Sequence, residues 1–453
     1  MKKRLLLFSL CASLFGVFQT TAQEFPNTVT VFDEILFYDG YAALVDLETH
    51  PVPTGVIRHR NDLYAVKLTP EQLASFGNEL TMNVTIKAAC DNYDRIGNVN
   101  IAFVPAGSET YTPEDVERIE IGRFITPFMN KNLNPKEVPY TFDMNNVAQI
   151  LKDEAITSEF DIWVELEVFG VPYAAQTQVS GCAGRIDVFY GTLEFVSDNN
   201  ADLIQSNNFL LPLSFKYMLR DYTLDGTDVL DETVRTLTFT LEEDVPNAKF
   251  YLITSNHGAN ENGEEYNRRN HFIYVDGQQV LMYKPGGLSC EPFRQYNTQG
   301  NGIYGPNPRT PAQWASFSNW CPGDKIPTRV IEIAGGNLAA GEHTFKIDVP
   351  SAVFNNNEGY FPFSLYLQGY DEVLAVEDFN TKAFNVYPNP TSGIATINSQ
   401  EAVQSVEVYD VLGKNVWTGA TNTVDMSKLQ NGIYIVKVKF EGGMTATKKL
   451  VKN

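Results

Sequence analysis

Apolar residues at every second position are the signal that most restricts this chain. Leu237, Phe239 and Leu241 alternate with threonines, and Phe345, Ile347 and Val349 alternate with Lys346 and Asp348. A period of two sends one face of a strand into a core and the other toward solvent. The runs 247–254, 363–367 and 99–104 repeat the pattern, and clusters rich in Gly, Asn, Asp and Pro separate them. Long amphipathic helical patterns are nearly absent, 145–154 being the best short one. At 453 residues the chain exceeds a single core. It is expected to be all-β, with two adjacent eight-stranded jelly-roll-like β-sandwich domains at 24–196 and 206–370 and a small C-terminal β-sandwich module at 383–453. The polar stretch from Ser197 to Asp202 reads as a linker, and Asp371 to Lys382 as the second boundary.

The first residues, Met-Lys-Lys-Arg, the apolar run from Leu5 to Phe18 and the small residues up to Ala22 have the pattern of a secretory signal. Residues 1–22 are therefore set aside from the fold, and Cys11 reads as an ordinary apolar residue of that signal, since Leu10 does not suit lipid attachment. No other stretch approaches the ~18 consecutive apolar residues of a membrane helix, so a soluble exported protein is expected. The formal charge is −21, and −24 once Lys2, Lys3 and Arg4 leave with the signal. Such a balance repels nucleic acid and anionic membrane surfaces. Cys90, Cys182, Cys290 and Cys321 remain, an even number that favours disulfides in an exported chain. Three pairings are open; Cys290 with Cys321 and Cys90 with Cys182 keep each bond inside one sandwich and close long loops. No Cys-x-x-Cys occurs and no His adjoins any of the four, so neither a metal nor another cofactor is expected. Nothing in the sequence asks for more than a monomer.

Three carboxylates stand in distinctive surroundings. Asp94, between Tyr93 and Arg95, precedes the strand-like run 99–104 and so belongs on a loop at a sheet rim, where function concentrates, or else closes a turn with Arg95. Glu165 shares a strand face with Trp163; it is either a carboxylate whose pKa burial raises or a solvent-facing Glu followed by Glu167. Glu265 lies in the polar stretch 256–271, where Arg268 or Arg269 could hold a carboxylate and His257 and His271 offer hydrogen bonds. There is no Gly-x-Ser-x-Gly elbow, no His-Glu-x-x-His helix and no Walker-type glycine loop. Gln23 or Glu24 at a mature N-terminus supplies no Ser, Thr or Cys nucleophile.

Five phrases together, Cys-Asp-Asn-Tyr-Asp-Arg (90–95), Glu-Ile-Gly-Arg-Phe-Ile-Thr-Pro (120–127), Ile-Trp-Val-Glu (162–165), Glu-Glu-Tyr-Asn-Arg-Arg-Asn-His (264–271) and Trp-Cys-Pro-Gly (320–323), resemble the peptide-N-glycosidase F family. The resemblance covers about 80–370 and implies hydrolysis of the amide that joins an N-glycan to asparagine. It assigns Asp94 the principal catalytic role and gives Glu265 and Glu165 the support of water and the first sugar. Tyr93, Arg95, Ile125, His257, Arg269 and Trp320 are then expected to border the cleft between the two sandwiches and bind substrate. The family's Arg a few residues before Trp-Cys-Pro-Gly has no counterpart here. From Phe384 to Asn453 the chain resembles the C-terminal sorting domain of the type IX secretion system, through phrases such as Val-Tyr-Pro-Asn-Pro-Thr-Ser-Gly (386–393). That implies passage through the periplasm and outer membrane to the surface or beyond, with N-glycoproteins or N-glycopeptides as substrates and the secretion machinery as partner. Two other functions fit the same residues: a glycan-binding protein without turnover, and a glycosidase that cuts between sugars with a carboxylate pair.

Overall fold

The computed structural model describes residues 27–198, 205–258, 263–317, 319–372, 384–399, 402–410, 413–440 and 445–453. The signal segment with Cys11, Gln23 and Glu24, residues 199–202 of the linker and the boundary residues 373–382 lie outside them. The chain divides into two compact units, the first containing both large sandwiches and the second the C-terminal module.

The alternating runs become strands where they were expected: 237–241 within Val234–Leu241, 345–349 at Gly341–Asp348, 247–254 at Lys249–Thr254, 363–367 within Phe361–Glu372 and 99–104 within Ile96–Pro105. The first strands of the first sandwich are Asn27–Tyr38, Val56–Arg60 and Leu63–Lys67. The helix at 145–154 is shorter than its pattern. It runs Asn145–Lys152 and buries Val147, Ala148, Ile150 and Leu151. Asp153 then takes an extended conformation, and its side chain caps the next turn, Glu154–Thr157, by accepting from the Ala155 N–H.

The first sandwich packs a four-stranded sheet, in the order Asn27–Tyr38, Asp187–Ser197, Leu80–Ala88, Glu137–Asp143, on a six-stranded sheet. The six run Lys325–Ile326, Glu117–Ile125, Ile96–Pro105, Phe160–Val168, Leu63–Lys67, Val56–Arg60. The outermost of them comes from the second half of the sequence: Lys325 pairs with Phe124 and Ile326 with Arg123. The second sandwich has the expected eight strands in two four-stranded sheets. Its sheets run Gln205–Leu219, Phe361–Glu372, Lys249–Thr254, Arg329–Glu332 and Val234–Leu241, Gly341–Asp348, His271–Val275, Gln278–Tyr283. Each sandwich has its own apolar core. The C-terminal module pairs a three-stranded with a four-stranded sheet around Ala395, Ile397, Val406, Val436 and Phe440. Both expected disulfides are present, with Cα atoms 5.5 Å apart for Cys90–Cys182 and 5.4 Å for Cys290–Cys321.

What positions the site is the outer face of the six-stranded sheet. Val99, Ile101 and Phe103 point into the core of the first sandwich. The alternating face carries Asn98, Asn100, Glu120, Arg123, Glu165 and Glu167, all six buried; the second sandwich meets Asn98, Glu120, Arg123 and Glu167, while Tyr111 and Arg118 of the first sandwich lie against Glu165. Period two is obeyed here, yet the polar face meets protein instead of water.

Candidate functional site

Asp94 lies on the short loop that enters the strand Ile96–Pro105, at the rim of this polar face. The loop is clamped from several sides. The Asp91 carboxylate accepts from the Tyr93 N–H at 2.9 Å, the Val171 N–H at 2.7 Å and Arg95 Nε at 2.7 Å. The Thr126 hydroxyl accepts from the Arg95 N–H at 2.8 Å and donates to the Tyr93 carbonyl at 3.1 Å. Arg95 is thus paired with Asp91, and the turn-closing ion pair expected of Asp94 belongs to its neighbour. The Cys90–Cys182 bond fixes the chain just before the loop. Tyr93 stays exposed, its ring 5.4 Å from Phe128 and with Arg95 above it.

Burial and, after it, the negative charge of Glu265 push the Asp94 carboxyl up to about 7. Glu265, from the second sandwich, is itself buried, and that burial raises its pKa against the opposing bonds from Tyr266 and the Gly258 N–H. Its backbone is pinned: the Glu265 N–H donates to the Gly258 carbonyl at 3.3 Å, and Asn319 Nδ2 donates to the Glu264 and Glu265 carbonyls at 2.9 and 2.6 Å. A carboxyl pushed up to about 7 beside a second carboxyl that burial raises is a recurrent sign of acid and base work. The structure therefore joins Asp94 with Glu265, with the Tyr266 phenol feeling the charge of both.

Glu165 is placed differently. It is fully buried, with Oε2 accepting from Asn100 Nδ2 at 2.9 Å and Oε1 from the Tyr111 hydroxyl at 2.8 Å, and Arg118 stands 3.5 Å away. It does share its face with Trp163, facing Asn100 as Trp163 faces Ala102. No hydrogen bond or ion pair described for its carboxylate reaches Asp94 or Glu265. In Glu165→Gln the amide oxygen can keep the Asn100 and Arg118 donors while the NH2 replaces the acceptor of the Tyr111 hydroxyl, and the buried negative charge that meets Arg118 is lost. The expected result is a loss of about 1–3 kcal/mol in denaturant unfolding, a far larger change than a surface amide swap produces.

The other sequence-derived positions separate in the same way. Trp320 Nε1 donates to the Asn256 carbonyl at 2.9 Å, and its ring lies 5.8 Å from that of His257. Ile125 is buried against Trp320, Ile253 and Ile326. Arg269 does hold a carboxylate, that of Glu264, in a two-pronged pair at 2.7 to 3.1 Å. Arg268 instead donates to the Pro285, Gly286 and Ala315 carbonyls. His271 is a core residue stacked on Tyr283 at 4.8 Å. His257 is buried with Nε2 2.7 Å from Ser255 Oγ. Residues 259–262 of the polar stretch lie outside the described residues.

Sequence reasoning missed the ion pair that links the two sandwiches. Arg123 Nε and Nη2 meet both Glu120 oxygens at 2.7 Å, while Nη1 crosses to Ser255 Oγ at 2.8 Å and the Pro362 carbonyl at 2.7 Å. Lys216 makes a second bridge, to Glu167 at 2.6 Å and Asn98 at 3.2 Å. A Glu and an Arg three apart within Ile-Glu-Ile-Gly-Arg-Phe-Ile (119–125) are the signal that was available. No group of His, Cys, Asp and Glu suited to a metal occurs among the described residues, and none of their helices is long and apolar enough to cross a membrane.

Residues 28–183 match the model of "Peptide-N-glycosidase F, N terminal", residues 227–368 that of "Peptide-N-glycosidase F, C terminal", and residues 385–453 that of "Secretion system C-terminal sorting domain". Among solved structures, PNGF-II is similar at 20% identity and a TM-score of 0.53, over 76% of this chain and 65% of that one. PNGase F, a glycosylasparaginase from Flavobacterium meningosepticum, aligns at 15% identity and a TM-score of 0.49, over 76% of this chain and 96% of that one. The chain thus spans about two thirds of the length of PNGF-II. No curated protein matches the sequence.

Proposed function

Since this chain belongs to the peptide-N-glycosidase F family and ends in a sorting domain for type IX secretion to the cell surface or beyond, we propose that it is the amidase that the residues of its cleft describe: an enzyme that hydrolyses the glycosylasparagine amide of N-glycoproteins or N-glycopeptides. The intact glycan leaves as a glycosylamine and Asn becomes Asp. The observation that carries this reading is the Asp94–Glu265 pair, in which a carboxyl titrating near 7 faces a second raised carboxyl from the other sandwich.

Near neutral pH a group of this kind both accepts and donates a proton. Asp94 takes a proton from the attacking water as its oxygen bonds to the amide carbon. It returns that proton to the departing nitrogen as the C–N bond breaks. Glu265 holds the water and the first sugar. Glu165, whose oxygens are already occupied by Asn100 and Tyr111, supports the wall behind them. Tyr93, exposed beside Asp94, and Trp320, beneath His257, border the substrate.

The test is mass spectrometry of a defined N-glycopeptide after incubation with the mature protein. Conversion of the glycosylated Asn to Asp with release of the whole glycan is expected. An Asn still bearing one sugar overturns the amidase in favour of a glycosidase, and a retained but uncut glycopeptide in favour of a binding protein.

A further inference from the structure

His257 is held by a chain of contacts that begins in the other sandwich. The Glu120–Arg123 pair is essentially inaccessible, with side chains 0% and 1% exposed. The Ser364 hydroxyl also donates to Glu120. From this anchored pair Arg123 Nη1 reaches across to Ser255 Oγ at 2.8 Å, and Ser255 Oγ lies 2.7 Å from His257 Nε2.

A hydroxyl has one hydrogen to give and two lone pairs. The guanidinium can only donate, so one lone pair of Ser255 is taken by Arg123. Ser255 is 2% exposed, and no acceptor other than His257 Nε2 lies against its hydroxyl among the described contacts. A buried hydroxyl hydrogen left without an acceptor costs roughly 1–3 kcal/mol. The arrangement that gives this buried hydroxyl hydrogen an acceptor has Ser255 donating to Nε2. The imidazole proton then resides on Nδ1. Burial, and after it the Arg123 charge, hold the His257 pKa down to about 3, so the ring is neutral at any pH at which the protein works.

The side-chain hydrogen bond described for the His257 ring is the one at Nε2, and none is described at Nδ1. The neighbouring residue Gly258 donates its N–H to Glu265 Oε2 at 3.4 Å, and the Trp320 ring packs 5.8 Å from the imidazole. Nδ1 is therefore an uncharged donor one residue before the Gly258 N–H that meets Glu265.

We propose that Arg123 and Ser255 are positioning residues that fix His257 as its Nδ1–H tautomer, and that this N–H donates to an acceptor oxygen of the first sugar of the substrate. The second part rests on the amidase reading above; the tautomer does not.

Two measurements test it. The first is long-range 1H–15N NMR of histidine-labelled mature protein, with the His257 signals assigned among the five histidines by their loss in His257→Asn. Nδ1 is expected to carry the proton in the wild type, and Ser255→Ala is expected to shift the ring toward the other tautomer. An Nε2–H wild type, or a Ser255→Ala protein with an unchanged ring, overturns the relay, and this readout needs no turnover. The second compares His257→Asn, whose amide nitrogen falls where Nδ1 was, with His257→Gln, whose amide falls nearer Nε2. On an N-glycopeptide, kcat/KM of the Asn variant is expected to exceed that of the Gln variant about tenfold, the worth of one hydrogen bond. Equal losses overturn the donor role. A wild type that releases no glycan while its tautomer is Nδ1–H would instead remove the amidase reading together with the donor role, and leave the relay in place.

Discussion

Asp94→Asn is expected to abolish glycan release, by 10³-fold or more, while making the protein more stable at neutral and alkaline pH. The rate loss follows because the amide accepts no proton from water and gives none to the leaving nitrogen, and general acid–base work alone contributes roughly 10²–10⁴-fold. The stability gain follows from linkage. The Asp94 pKa rises from 3.8 unfolded to about 7 folded, so between those values the folded protein holds a proton that the unfolded chain has lost. Stability contributed by this carboxyl is present below pH 3.8 and is lost as pH rises toward 7. At pH 8 the folded wild type carries the cost of an ionised, half-buried carboxylate near the charge of Glu265, and Asn removes it. A gain of about 1–3 kcal/mol is expected at pH 8, shrinking to near zero by pH 4; each tenfold change in acidity on folding is worth about 1.4 kcal/mol at most, and partial solvation discounts it. Urea unfolding of both proteins at the two pH values checks the sign. Equal stability at both would mean that the carboxyl titrates normally, and Asp94 would lose its claim to acid–base work.

Removing Arg123 should be the most damaging single change outside the carboxylate pair. Arg123→Met leaves Glu120 charged, 0% exposed on its side chain, and strands Ser255 and the Pro362 carbonyl. Breaking a buried pair by deleting one partner costs about 3–5 kcal/mol, mostly from the charge left behind. The double variant Glu120→Met with Arg123→Met removes both charges, and it should recover at least half of that loss even though Ser364 and Ser255 each lose one partner, keeping the Lys216 N–H and His257 respectively. Denaturant midpoints of the two single variants and the double form the cycle. If the double variant is as unstable as Arg123→Met, the loss comes from the contacts across the sandwiches and not from the stranded charge.

Strand positions were legible because the apolar half of each alternation meets a core. Leu237, Phe345 and Ile347 say so without help from anything distant. The second half of the alternation was legible only as polar. Asn98, Glu165 and Glu167 have the same spacing whether water or another sandwich lies above them, and the covering strands Gln205–Leu219 and Phe361–Glu372 are more than thirty residues away in sequence. For that reason neither reading of Glu165 anticipated a carboxylate satisfied by Tyr111 and Asn100. Asp94 was found through its phrase, yet its ion-pair partner could not be, because Arg95 turns back to Asp91 through a loop shape that sequence does not display. The disulfides were legible for a different reason: keeping each bond within one sandwich leaves one pairing of three. Arg123 and Ser255 were illegible as a pair, since their meeting depends on how two sandwiches are seated.

The two-residue strand Lys325–Ile326 makes the sandwiches inseparable in a practical sense. It is contributed by the second half of the sequence, but it covers the last residues of the edge strand Glu117–Ile125 of the first sandwich, at Arg123 and Phe124. A first half produced alone would leave the backbone groups at Arg123 and Phe124 without this cover, at an edge open to a strand from a neighbouring chain. Folding of the first half therefore finishes only after residue 326 has been made. A ribosome that stalls between the halves releases an adhesive intermediate, and for a protein bound for export this sets the stretch of synthesis during which chaperone cover matters most.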